Sequence, residues 1–259
     1  MKKIISLILI LCFVFSLSAC KNDKDNTAEK SIILVAAASS LKNCLDNEII
    51  QLFEEKYPNI KTEITYDSSG KLQAQIEQGA EVDVFISAAE KQMNALNDKN
   101  LILKDSVIKL LENKIVLIVP NDNNKNISTF EDVLKAENIA IGDPESVPAG
   151  QYAKETFENL QLWDEVIKKA SLGTNVTEVL NWVGEGSADA GVVYSTDASS
   201  SSKIKVVSEA PEESTSKIIY PVGIIKTTKN QEVAKLFTEF LKSKEAINIF
   251  KSYGFTAYE

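Results

Sequence analysis

Ile32-Ile33-Leu34-Val35-Ala36-Ala37-Ala38-Ser39-Ser40-Leu41 decides the fold class. Its first half is a short apolar run with no polar alternation, the pattern of a strand buried on both faces. It ends in small and hydroxyl residues, and at once Leu41, Leu45, Ile49, Leu52 and Phe53 recur at helical spacing. Strand, small-residue junction and helix then repeat along the chain. Ile60 to Tyr66 alternates as a strand, and Lys71 to Gln78 reads as a helix stopped by Gly79. Val82 to Ser87, Ile115 to Val119, Ile139 to Ile141, Ala190 to Tyr194 and Ile218 to Ile225 read as further strands. Helices are expected over Glu90 to Asn97, Gly150 to Leu160, Val176 to Val183 and, as one long element, Val233 to Phe250. Such alternation predicts an α/β protein with largely parallel sheets.

The composition removes whole classes of chemistry. The chain has 259 residues with 28 basic and 37 acidic side chains, and every basic one is Lys. With no His, neither Ser-His-Asp nor Cys-His catalysis nor a His-ligated metal is available. With no Arg, bidentate clamps on phosphate or carboxylate are excluded as well. A net charge of −9 argues against a nucleic-acid partner.

Met1-Lys2-Lys3 is a basic head on the apolar run Ile4 to Leu17, too short to span a bilayer and of secretory-signal size. The run ends in Leu17-Ser18-Ala19-Cys20, which resembles a bacterial lipobox. Residues 1–19 are therefore expected to be a lipoprotein signal peptide and Cys20 the lipidated residue. Residues 20–30 would form a lipid-anchored tether, its polar residues 21–30 spanning roughly 17 Å as a random coil. The protein would then sit on the extracytoplasmic face of the cell membrane. Cys12 leaves with the signal, so Cys44 stands alone and is expected to be buried.

Four junctions share one construction: Ala38-Ser39-Ser40-Leu41, Ser68-Ser69-Gly70-Lys71, Pro148-Ala149-Gly150-Gln151 and Thr174-Asn175-Val176-Thr177. Each opens a helix, where backbone N–H groups lack intrahelical acceptors and carry partial positive charge. Any one of them is explained by ordinary capping. Four of them aimed at one point would make an anion site that needs no Arg.

The stretches Ala36 to Ser39, Gln75 to Ala80 with Asp83 to Ala88, and Gly142-Asp143-Pro144-Glu145-Ser146-Val147-Pro148-Ala149-Gly150 resemble the molybdate-binding proteins of ABC transporters. Val193 to Ala198, Tyr220-Pro221-Val222 and Ile249 to Phe255 extend the likeness over residues 31 to 256. The resemblance implies an α/β, two-lobed, type II periplasmic-binding-protein fold with two crossover segments, near Val116 to Val119 and Ile218 to Pro221. Lobe I would comprise residues 31–115 and 221–259, and lobe II residues 116–220. It also implies no cofactor and no enzymatic activity. The ligand would be a tetrahedral oxyanion, molybdate or tungstate, passed by a monomer to an ABC transporter permease. Carried over residue by residue, the ligand contacts are Ser39 and Ser69 from lobe I and Ala149, Val176 and Tyr194 from lobe II. Ala149 and Val176 have no polar side chain and could serve only through their N–H groups.

A ring of donors without a proton acceptor favours unprotonated dianions over hydrogen phosphate. Asp67 departs from the family pattern, which has a small neutral residue beside the two serines, and Gly70 replaces a hydroxyl residue. At a helix start the Asp67 charge is favourable, and it is expected to face solvent. Sulfate and phosphate remain alternative ligands. Ser39-Ser40-Leu41-Lys42 also fits the S-x-x-K pattern of Ser-Lys acyl-transfer enzymes, although no S-D-N follows and Lys226-Thr227-Thr228 only approximates K-T-G.

Overall fold

The computed structural model describes residues 30–259. The expected signal peptide, Cys20 and nearly all of the tether lie outside the described residues. Two sheets organise the remainder. The first has six strands in the order β11-β4-β10-β3-β1-β2, the second five in the order β7-β6-β8-β5-β9.

β1 (Ser31–Ala38) runs directly into a helical segment over 39–56, here α1, that passes through 3-10, α and π turns. β2 (Ile60–Asp67), α2 (Ser69–Glu77), β3 (Val84–Ile86), α3 (Glu90–Asp98) and β4 (Ile108–Asn113) follow. β2 and β3 flank β1 in parallel. The apolar run of β1 is explained by cover on both faces. Ile33, Val35 and Ala37 join the main core with Leu41, Leu45 and Phe53 of α1. Ala36 faces a smaller cluster with Phe85, Leu72 and Met93. Gly79, with φ near +90°, ends α2 in the left-handed conformation that glycine adopts without strain.

Lys114 alone separates β4 from β5 (Ile115–Pro120), which belongs to the second sheet. That sheet continues with β6 (Ile139–Gly142), α4 (Pro148–Asn159), α5 (Trp163–Val166), β7 (Ala170–Gly173), α6 (Val176–Gly184), β8 (Ala190–Tyr194), α7 (Ser195–Ser199) and β9 (Ile204–Glu209). The chain returns to the first sheet at β10 (Ile218–Ile224), then forms α8 (Gln231–Leu241), α9 (Lys244–Ser252) and β11 (Thr256–Ala257). Ile115 thus pairs in the second sheet and Ile218 to Tyr220 pair in the first, a few residues from the lobe limits expected from sequence.

Both sheets are mixed rather than largely parallel. β6 pairs in parallel with β7 and β8, whereas β5 runs antiparallel to β8 and β9. β10 is antiparallel to both β3 and β4. The strands that enter a sheet from the other one run against their neighbours. Register in β10 shifts between Tyr220 and Pro221, where proline has no N–H to offer the ladder. The long C-terminal helix is in fact two, because Ser243 accepts the Ala246 N–H at 3.2 Å and starts a new helix. Side-chain hydrogen bonds of Asn113 tie the first crossover to both sheets. Its amide nitrogen donates to Thr196 Oγ1 at 2.9 Å and to the Tyr220 hydroxyl at 3.2 Å. Its oxygen accepts from Ser195 Oγ at 2.9 Å.

Candidate oxyanion-binding site

The four junctions meet. One small cavity is lined by Ser39, Ser69, Ala149, Val176 and Tyr194 together with Ala38, Ser40, Asp67, Ser68, Ala88, Val147 and Pro148. All five residues named from sequence therefore line one cavity, on elements carried by both sheets. Among the described residues, no basic side chain lines the cavity.

The helix starts at this cavity have local causes. Ser68 caps α2 by accepting the N–H of Lys71 at 3.4 Å, two residues beyond Ser69. Asn175 caps α6 in the same way, accepting the Glu178 N–H at 3.0 Å and leaving Val176 free of it. α4 has no side-chain cap and begins with Pro148, so Ala149 carries its first N–H. Side-chain caps thus satisfy the third N–H of α2 and α6, and the Ser146 carbonyl takes the second of α2, so the N–H groups of Ser69 and Val176 are left without an intrahelical acceptor. The Gly142 to Gly150 stretch folds tightly enough that a Cβ on Gly150 would stand 1.9 Å from the Gly142 carbonyl oxygen.

The hydroxyls are arranged as donors. Ser69 is fully buried and its Oγ accepts the Ala88 N–H at 2.9 Å, which leaves the hydroxyl proton for another acceptor. Tyr194 is 1% exposed, and its hydroxyl reaches the Ala88 carbonyl only at 3.4 Å, a long contact that can be exchanged for a better acceptor. Burial raises the Tyr194 pKa well above the ordinary phenol value, so it remains a neutral donor. Ala88 was not singled out from sequence as a site residue; its only signal there was membership of the Asp83 to Ala88 stretch.

Asp67 lines the cavity but is not free in it. Its Oδ1 accepts the Ser68 N–H at 2.8 Å and pairs with Lys71 at 3.3 Å, and its side chain is 26% exposed. The carboxylate thus caps the start of α2 while keeping contact with solvent. Lys42, the base required by a Ser-Lys reading, is instead paired with Asp46 at 2.5 Å and is exposed.

Direct hydrogen bonds also join helices and loops carried by the two sheets. The Gly70 N–H donates to the Ser146 carbonyl at 3.0 Å. The Gln92 side chain donates to Gln151 Oε1 at 3.2 Å.

Residues 33–256 match the family model described as bacterial extracellular solute-binding protein. The chain is 42% identical, over 99% of both chains, to YvgL of Bacillus subtilis (strain 168), which carries the name of an ABC transporter substrate-binding lipoprotein. It is 37% identical to the molybdate-binding protein ModA of Escherichia coli (strain K12), over 88% of this chain and 90% of the relative. The periplasmic molybdate-binding protein of Azotobacter vinelandii superposes with a TM-score of 0.77 at 24% identity, over 88% of this chain and 100% of that one. These relatives are solute-binding proteins rather than enzymes, and the fold is that of the type II periplasmic binding proteins.

Proposed function

Since the chain belongs to the bacterial extracellular solute-binding proteins, as the substrate-binding protein of an ABC transporter, we propose that it captures molybdate, and tungstate with it, for delivery to a membrane permease. The observation that carries this reading is the single cavity shared by Ser39, Ser69, Ala149, Val176 and Tyr194, with no cationic side chain among the described residues on its wall. In this reading the N–H groups of Ala149 and Val176, the hydroxyls and N–H groups of the two serines and the Tyr194 phenol surround the oxyanion. Two lobes, one around each sheet, close on it. A water-poor site strengthens each of these dipoles, so the negative net charge of the protein is no obstacle. An unmatched buried donor costs about 1–3 kcal/mol, so an anion too small to meet every donor, such as sulfate, binds less tightly.

The name of the Bacillus subtilis relative supports residues 1–19 as a lipoprotein signal and Cys20 as the lipidated residue. The protein would then act as a monomer tethered to the outer face of the cell membrane. Mass spectrometry of the mature N-terminus tests this: a diacylglyceryl-modified Cys20 is expected, and an unmodified N-terminus elsewhere overturns it. The ligand is tested by thermal-shift titration with molybdate, tungstate, sulfate and phosphate. Molybdate and tungstate should raise the melting temperature at micromolar concentration, with sulfate far weaker. Stabilisation by phosphate or sulfate, with none by molybdate, overturns the assignment.

A further inference from the structure

Asn113, the last residue of β4, commits its whole side-chain amide to one relay of hydrogen bonds. The Lys114 backbone N–H donates to its oxygen at 2.8 Å, and an N–H can only donate, so this atom is Oδ1. Ser195 Oγ donates to the same oxygen at 2.9 Å. The two protons of Nδ2 then go to Thr196 Oγ1 at 2.9 Å and to the Tyr220 hydroxyl at 3.2 Å.

That polarity passes onward. Tyr220 is fully buried, and burial holds it as the neutral phenol. Its oxygen accepts from Asn113. Of its two hydrogen-bond partners among the described residues, only Ser40 Oγ, at 2.9 Å, is left to take the phenol proton. The relay therefore runs from Ser195 through Asn113 and Tyr220 to Ser40, with the direction of each bond fixed.

Both ends stand next to cavity residues. Ser195 follows Tyr194, which ends β8 of the second sheet, and Ser40 follows Ser39, which leaves β1 of the first. Between them, Asn113 precedes the passage into β5, and Tyr220 lies on β10, where the chain has returned to the first sheet. Holding β4 to β10 does not account for the relay, because the strand ladder already pairs Asn113 with Ile218 and Leu111 with Tyr220.

On the reading of the cavity as an oxyanion site, we propose that Asn113 is a positioning residue for it. Through Ser195 on one side, and Tyr220 with Ser40 on the other, it sets the spacing of Tyr194 and Ser39 and so the size of anion their donors fit. Donors held at one spacing suit one anion radius. Loosening them costs the well-fitted anion more than a smaller one that never met them all.

The test compares molybdate with sulfate by calorimetry. Tyr220→Phe keeps the ring that packs edge-on against Tyr194 and Phe255 and deletes the hydroxyl. Asn113→Asp keeps an oxygen for Lys114 and Ser195 and removes both donated protons. Each should lower molybdate affinity by about fivefold or more and sulfate affinity by less than about twofold, with circular dichroism unchanged. The double variant should lose no more than the more affected single one, because both changes break one relay. Equal losses for the two anions, unchanged molybdate affinity in Tyr220→Phe, or losses that add in the double variant would overturn the proposal. Should Asn113→Asp fail to fold, Tyr220→Phe alone decides it. A ligand-free measurement separates the relay from the oxyanion reading: Ser40→Ala should shift the Asn113 side-chain amide resonances in the NMR spectrum, and no shift overturns the relay. No molybdate response in the parent chain overturns the oxyanion reading and this role of Asn113 with it, whereas the amide shift reports the relay in either case.

Discussion

Gly70 and Ser146 meet backbone to backbone across the two sheets. The Gly70 N–H donates to the Ser146 carbonyl oxygen at 3.0 Å, and a Cβ on Gly70 would stand 2.3 Å from that same oxygen. The absence of a side chain at Gly70 therefore sets how closely the start of α2 approaches the loop before α4. Residues of both elements line the cavity, so this contact sets the separation of its opposite walls.

Gly70→Ala should accordingly act on ligand binding more than on folding. Relieving a contact of this kind costs about 1–3 kcal/mol, and the loop can move to relieve it only by opening the cavity. We expect molybdate affinity to fall about tenfold, by calorimetry, with the ligand-free melting temperature lowered by only a few degrees.

Removing single donors tests the wall itself. Tyr194→Phe and Ser39→Ala each delete one hydroxyl from the cavity. Each loss should cost about 1–3 kcal/mol of binding, or roughly 5- to 150-fold in affinity, while circular dichroism and ligand-free stability stay close to those of the parent chain. Unaltered affinity in both variants would remove these residues from the site.

The Gln92–Gln151 contact is only half made. Gln92 Nε2 donates to Gln151 Oε1 at 3.2 Å, yet Gln92 Oε1 and Gln151 Nε2 are buried without partners. Gln92→Leu alone strands the Gln151 amide and should weaken molybdate binding by about 1–3 kcal/mol. The double variant Gln92→Leu/Gln151→Leu removes both polar groups and should recover most of that loss, which a double-mutant cycle measures directly.

Asp67 places a negative charge on the cavity wall that its contacts with Ser68 and Lys71 only partly offset. Asp67→Asn keeps an oxygen able to accept the Ser68 N–H and removes the charge. Dianion affinity should rise about two- to fivefold at low salt, and the gain should shrink as ionic strength screens the interaction.

Asp197 predicts a pH dependence of stability. Its carboxyl titrates at about 7 in the folded protein against an ordinary value of 3.8, chiefly because burial disfavours its charge. Between those pH values the folded chain keeps a proton that the unfolded chain has released, so stability falls as pH rises through this window and stays low above it. At 1.36 kcal/mol per pH unit the full effect is on the order of 4 kcal/mol. Urea denaturation at pH 4, 5.5 and 8 should show this decline in the parent chain and a flatter profile in Asp197→Asn.

Local pattern made much of the molecule legible. The apolar run of β1, the helical spacing after Leu41 and the small residues between them require only the chain's own periodicity, and they identified the α/β class and the helix starts. The composition kept Arg and His out of any anion site, and the four junctions offered helix N–H dipoles in their place. Strands with interspersed charge escaped that reading: Ile108–Asn113, where Lys109 and Glu112 interrupt the pattern, and Ile204–Glu209, an edge strand with Val206 exposed. The division of the last helix at Ser243 escaped it too, because no Gly or Pro marks the break and apolar spacing continues on both sides.

Strand direction, and the meeting of distant junctions, belonged to tertiary structure alone. β5 and β10 run antiparallel to their neighbours because the chain enters each sheet from the other, a property of the path that no window of sequence contains. Ser39 and Val176 are 137 positions apart, yet they line one cavity because both sheets turn their helix starts toward it. Periodicity fixes which face of an element is apolar, whereas which N–H groups share a guest, and which buried amide is left half-paired, depend on how the packed elements finally meet.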